Sequence, residues 1–288
     1  MSKVESVSEG DLSGGGGGRP AAAAAASEGL AERIWARIVY YIPSATTLVA
    51  LIAFWEFAVH YWQVKEFILP APSRAVEALM DPHYRWGQNL AMTLTSVIGA
   101  FFFTTIAGLV LGTLLVWNSM LERTILPLLI LFNTLPKIAL APMFIFWIGY
   151  GVSANIVIGV AVAFFPMVLN TAAGLRSIEP ELLDLVQALK ARKWQIFLKL
   201  RLPNALPYIF VGLKLNAVFA TVGAIVGEFI ASTGGLGAII IVGNTTLDTP
   251  SIFASLMLIS AIGLILYLLV IIAERLTMPW EFRGAAQN

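Results

Sequence analysis

Cysteine is absent from the 288-residue chain, and histidine occurs only as His60 and His83. Disulfides, thiolate metal sites and cysteine nucleophiles are excluded, and two imidazoles are too few for a histidine metal cage. Charge is scarce too. Asp, Glu, Lys and Arg make up 12% of the residues, about half the share of roughly 25% usual in soluble chains. Hydrophobic residues reach 58%, and the mean hydropathy is +0.83. A water-soluble globule of this size could not cover its surface with so few charges. A soluble enzyme, a nucleic-acid binder and a disordered chain are thereby ruled out, and a polytopic membrane protein remains. The net charge of +1 gives no general pull toward polyanions, so the placement of charges matters more than their sum.

A hydrocarbon core of about 30 Å calls for about 20 helical residues. Six segments qualify, near Ile42–Trp62, Leu90–Trp117, Thr124–Trp147, Ser153–Ala173, Val211–Ala231 and Ile252–Ala273. Their apolar runs are too long, and too free of alternation, for an outer-membrane barrel. The fold class is therefore an all-α polytopic membrane protein with six transmembrane helices. Residues 1–26 hold the runs Gly14 to Gly18 and Ala21 to Ala26 and read as a disordered tail. The first long apolar stretch lies too deep for a cleaved leader. Residues 27–41 have a helical stripe of Leu30, Ile34 and Ile38, and form either an amphipathic interfacial helix or an extension of the first span. Residues 42–282 are the transmembrane domain, and 283–288 a short C-terminal tail.

Lys3, Arg19, Arg33 and Arg37, the cluster from Arg176 to Arg201, and Arg275 and Arg283 all fall on one side of a six-span chain. By the positive-inside rule that side is the cytoplasm, which places both termini there. The long loop between the fourth and fifth spans, 176–204, has two helical pieces. The first starts at Pro180 and carries a stripe of Leu182, Leu185, Val186 and Leu189; the second runs from Lys193 to Leu200 and ends before Pro203. From pattern alone the loop is equally a cover for the bilayer surface, with Trp194 and Phe197 in the headgroups, or a docking platform.

This loop resembles the cytoplasmic signature of bacterial ABC-importer permeases: Glu-Ala-Ala, three residues, Gly, nine residues, Ile, one residue, Leu-Pro. Here the triplet is Asp184-Leu185-Val186, Lys190 stands at the Gly position, Leu200 at the Ile position, and Leu202-Pro203 closes the motif. The family's Gly permits a turn between the two short helices, and Lys190 departs from it. Further motifs are ILPAPS at 68–73, NTLPKIALAPMFIFWIGYG at 133–151, NTAAGLR at 170–176 and EFIASTGGLG at 228–237. Together they are similar to the branch serving nitrate, sulfonate, taurine, bicarbonate and thiamine-precursor uptake, over about residues 65 to 282.

The resemblance implies a type I ABC importer permease of the bacterial inner membrane. It implies pairing with a second permease copy, two ATPase subunits below and a periplasmic substrate-binding protein above. Coupling to the ATPase would fall on Glu181, Asp184, Leu185, Ala188, Leu189, Lys190, Ala191 and Trp194. The solute would be a small anion of the nitrate, sulfonate, taurine or bicarbonate type, or a pyrimidine-like precursor, moved by alternating access. The chain has no G-x-x-x-x-G-K-[ST] loop, so ATP hydrolysis is expected on a partner, with no cofactor and no metal here.

Charge inside a bilayer is costly, which draws attention to Glu56, Lys137 and Glu228. Lys137, near Asn133 and flanked by Pro136 and Pro142, either lines a translocation path or pairs with Glu228 to hold two spans together. Glu228 is a gate or a packing residue, and Glu56 a structural one. The Gly108/Gly112 and Gly223/Gly227 pairs point to close helix packing, within one subunit or across a dimer. The segment 232–250 is too short to span and is expected to re-enter at the outer face. An intramembrane enzyme lacks any nucleophile–base pair or HExxH. An ATP-independent channel or secondary carrier would leave the long loop without a purpose.

Overall fold

In hydrocarbon every backbone N–H and C=O has to find a partner within the protein, and a helix supplies them all locally. The computed structural model describes residues 42–231 and 234–279, and no strand occurs among them. The readings made above for 1–26, 27–41 and 283–288 lie outside the described residues. The chain divides into two compact units, 1–61 and 62–288. The first is represented by α1 (Ile42–Tyr61), whose 20 residues give about 30 Å, one hydrocarbon thickness. In α1, His60 Nδ1 lies 2.8 Å from the Glu56 carbonyl and 3.6 Å from its carboxylate.

The second unit contains α2 (Pro72–Ala78), a 3-10 turn (Pro82–Tyr84), α3 (Trp86–Trp117), α4 (Ser119–Thr134), a 3-10 turn (Lys137–Leu140), α5 (Ala141–Ile148) and α6 (Val152–Arg176). It continues with α7 (Pro180–Ala188), α8 (Lys193–Ile196), a π turn (Phe197–Arg201), α9 (Leu202–Ala231), α10 (Leu236–Thr246) and α11 (Thr249–Thr277). Among the described residues, α1, α3, α6, the α8–α9 run and α11 are each long and apolar enough to cross a membrane. The α4 and α5 pieces, bent by 86° at the break between them, pass the same test only together, and make a sixth span if they are counted as one. Proline explains the break. Leu135 precedes Pro136 and is extended at φ −68°, ψ 139°, as a pre-proline residue prefers, and Pro136 has no N–H to continue the helix.

Small residues let α3, α6 and α9 meet backbone to backbone. A Cβ on Gly223 would lie 2.6 Å from the Gly159 Cα, and one on Gly227 2.8 Å from the Asn155 Cα. A Cβ on Gly108 would strike Met167 at 2.3 Å, and one on Gly112 Thr171 at 2.6 Å. Both glycine pairs read from the sequence therefore pack within the subunit. The register shows α3 and α6 running parallel and α6 and α9 antiparallel. Asn216 Nδ2, fully buried on α9, donates to the Phe101 carbonyl at 3.0 Å and Thr105 Oγ1 at 2.9 Å on α3.

Within the segment 232–250 lies α10, whose 11 residues reach only about 16 Å, too short to cross. Leu236 and Ile239 of α10 pack with Val97, Ala224 and Ile262 at one end of the bundle. The loop carrying α2 is fastened at that end as well: Thr249 Oγ1 donates to the Phe67 carbonyl at 2.8 Å, and Tyr84 OH to Asp248 Oδ2.

Candidate functional site

The loop between α6 and α9 folds as a helical elbow at the end of the bundle opposite α10. Pro180 opens α7 in its first turn, where a missing N–H costs nothing. At its end the Ala191 amide donates to the Val186 carbonyl at 3.1 Å and the Lys190 amide to the Gln187 carbonyl at 2.8 Å. These two bonds are a Schellman closure. Lys190 occupies its left-handed position, at φ 56°. The turn that a glycine commonly supplies is thus made by a lysine, at some conformational cost.

The second helical piece does not stop before Pro203. From Arg192, whose amide donates to Gln195 Oε1 at 2.9 Å, α8 widens into the π turn and runs on into α9. The Leu202 amide reaches back to the Phe197 carbonyl. Pro203 has no N–H for the Lys199 carbonyl and its ring crowds that group; one wide turn accommodates both.

The elbow is anchored on one side and open on the other. Trp117 at the end of α3 meets Phe197 and Trp194 edge-on, with ring centroids 5.6 and 6.4 Å apart, and Trp194 stacks on Phe197 at 5.9 Å. Asn204 Nδ2 donates to Ser177 Oγ at 2.8 Å, tying the loop's exit to its entrance. Arg176 closes α6 with an ion pair to Glu122 of α4 at 2.7 Å. On α7, Leu183 and Val186 are half-buried. Leu185 is 57% exposed and Leu189 74%, so part of the apolar stripe has no cover. Glu181, Asp184, Ala188, Lys190 and Trp194 are exposed with them, and Ala191 is half-buried.

Asn133 and Lys137 come together at the bend between α4 and α5: Lys137 Nζ donates to Asn133 Oδ1 at 2.5 Å. Glu228 lies elsewhere. Among the described residues no ion pair joins it to Lys137, so the pair entertained above does not form. Glu228 is 1% exposed. Its Oε2 accepts the Gly237 amide at 2.8 Å and the Thr93 hydroxyl at 3.0 Å. Thr93 Oγ1 in turn accepts the Leu236 amide at 2.9 Å, and Asn89 Oδ1 the Gly235 amide at 2.7 Å. The opening amides of α10 are thus capped by side chains of α3 and α9. Gly235, at φ 97°, fits because a Cβ there would lie 2.5 Å from the Glu228 carboxyl carbon.

The sequence reading passed over a second pair of charges inside the bundle. Lys214 of α9 bonds Glu274 of α11 at 2.6 and 2.9 Å, both largely buried. Their opposite sign, with Lys214 inside one apolar run and Glu274 at the edge of another, was the available signal.

A sequence profile of the family described as binding-protein-dependent transport system inner membrane component matches residues 104–278. The riboflavin transport system permease protein of Chloroflexus aurantiacus is 36% identical over 82% of this chain and 88% of that protein. The formylaminopyrimidine transport permease protein of Halalkalibacterium halodurans is 31% identical over 80% and 92%. The taurine transport system permease protein of Escherichia coli is 26% identical over 83% and 89%. A solved chain of the MetNI methionine ABC transporter, in an inward-facing conformation, matches with a TM-score of 0.55 at 23% identity. It covers 66% of this chain and 98% of that one, and the likeness is one of fold.

Proposed function

This chain belongs to the binding-protein-dependent transport system inner membrane components and is a permease subunit of an ABC importer with the type I fold, and from that premise we propose that α7 is its handle for a separate ATPase. The observation carrying this is the exposure of Leu185 and Leu189, at 57% and 74%, on α7 and at its C-cap, where Leu183 and Val186 are half-buried. An apolar stripe left open at a loop is suited to a groove on a partner. Glu181, Asp184, Ala188, Lys190, Ala191 and Trp194 frame that contact. The loop side and both termini face the cytoplasm, as the lysine and arginine bias supports.

Two ATPase subunits grip two such handles, one on each of two permease copies, and hydrolysis takes place on those subunits. Closure of the ATPases moves α7. The Trp117–Trp194–Phe197 cluster and the Asn204–Ser177 bond transmit that movement to α3, α6 and α9. The bundle then rocks between openings, and a binding protein delivers solute at the α10 end. The bend at Leu135–Pro136 lines the path with Asn133 and Lys137, a hydrogen-bonded amide and cation at a break in the helix ladder. Glu228 serves the path by fixing α10.

The solute is a nitrogen heterocycle. In support, the relatives named for riboflavin and formylaminopyrimidine transport are 36% and 31% identical, against 26% for the one named for taurine. Reconstitution of the chain with its ATPase and binding protein tests the reading. ATP-dependent uptake that is lost in Leu185→Asp, with membrane insertion intact, supports it. Transport by the chain on its own, indifferent to ATP, contradicts it. Labelled riboflavin or a pyrimidine should enter and taurine should not.

A further inference from the structure

A cavity of 490 Å3 lies between the end of α3 and the elbow, walled by Trp117, Leu183, Gln187, Lys193, Phe197 and Arg201 among others. That volume falls within the roughly 300–1,000 Å3 of small-molecule sites. Its lining contains two cations and no carboxylate. Among the described residues neither Lys193 nor Arg201 is in an ion pair, although Arg176 at the same end of the bundle is paired. Most of the remaining lining is apolar, with Val116, Trp117, Leu183, Ile196 and Phe197. Trp117 closes a 32-residue apolar helix, which sets the cavity at the boundary of hydrocarbon and water, where tryptophan is favoured.

We propose that this cavity holds the phosphodiester headgroup of an anionic phospholipid. The phosphate oxygens meet Lys193 and the Arg201 guanidinium, whose planar fork suits them. Gln187 offers an amide to the glycerol oxygens. Trp117, Leu183 and Phe197 cover the glycerol backbone and the first methylenes of the acyl chains. Free phosphate would satisfy the cations but leave that apolar wall bare, so the lipid is the better occupant. Basic pockets beside transmembrane helices are a recurring form of headgroup site. The inference requires only that this end of α3 reach the membrane surface, and it stands whether or not α7 docks an ATPase.

The test is native mass spectrometry of the full-chain complex after exchange into phosphatidylglycerol or phosphatidylcholine. Wild type should retain a phosphatidylglycerol adduct and release phosphatidylcholine. Lys193→Gln with Arg201→Gln should weaken retention at least about tenfold, given the contribution of each basic side chain near a charged surface. The exchange Lys193→Arg with Arg201→Lys keeps both charges and should keep the adduct, which separates binding from misfolding. Leu185→Asp should leave the adduct unchanged, so failure of the docking reading is distinguishable. Equal retention of both lipids, full retention by the double glutamine variant, or displacement of the lipid by millimolar inorganic phosphate would overturn the proposal.

Discussion

The Glu228 carboxylate accepts the Gly237 amide at 2.8 Å, so a side chain of α9 caps a helix that begins only a few residues further on. The same oxygen holds the Thr93 hydroxyl, and α3 enters the arrangement through it. Glu228→Gln preserves the shape but can turn an N–H toward an N–H. The expected loss is about 1–3 kcal/mol. Hydrogen exchange should show faster exchange of the amides at 235–237, with the α6–α9 packing unchanged. Wild-type exchange at those amides would contradict the capping role.

Lys190 holds a left-handed backbone at φ 56°, which disfavours every residue with a Cβ. Lys190→Gly should raise the thermal midpoint of the purified protein, by the equivalent of about 0.5–1 kcal/mol. Lys190→Val should lower it, since a β-branched residue tolerates this region least. A wild type as stable as the glycine variant would remove the strain from the account.

Lys214 and Glu274 form a largely buried pair at 2.6 Å. Lys214→Met leaves a carboxylate in the bundle without its cation and should destabilise by about 3 kcal/mol or somewhat less, given partial exposure. The double variant Lys214→Met with Glu274→Gln should recover much of that loss. Additive losses in such a cycle would show that the two do not interact.

A Cβ at Gly223 would sit 2.6 Å from the Gly159 Cα, whereas at Gly263 the nearest neighbour is 3.6 Å away. Gly223→Ala should therefore force α6 and α9 apart, at a cost of about 1–3 kcal/mol. Gly263→Ala should be tolerated. Detergent stability of the two variants, measured side by side, checks the close approach.

Much of this was legible from residue pattern because each span is an apolar run of the right length, and the Gly108/Gly112 and Gly223/Gly227 pairs marked their own contacts. Local rules failed where a tertiary partner decides. A start for the second span at Leu90 missed a helix that begins at Trp86, whose indole donates to the Ala78 carbonyl. Pro203 looked like a stop, yet one π turn carries the helix through it. Glu274 and Lys214 stand at positions where charge is costly, and only the packing of α9 on α11 shows them to be each other's partner. Lys137 and Glu228 had opposite charges and plausible positions. Asn133 and the α10 amides, which claim them instead, are neutral groups to which charge bookkeeping is blind.

Because the chain has no native cysteine, one engineered thiol reports on the handle without background. Leu189→Cys should react with a membrane-impermeant maleimide in inside-out vesicles stripped of ATPase. It should be protected when the ATPase is restored, and stay unreactive in intact cells with a permeable outer membrane. Reaction from the periplasmic side, or no protection by the assembled ATPase, would contradict the placement of α7 at the centre of the mechanism.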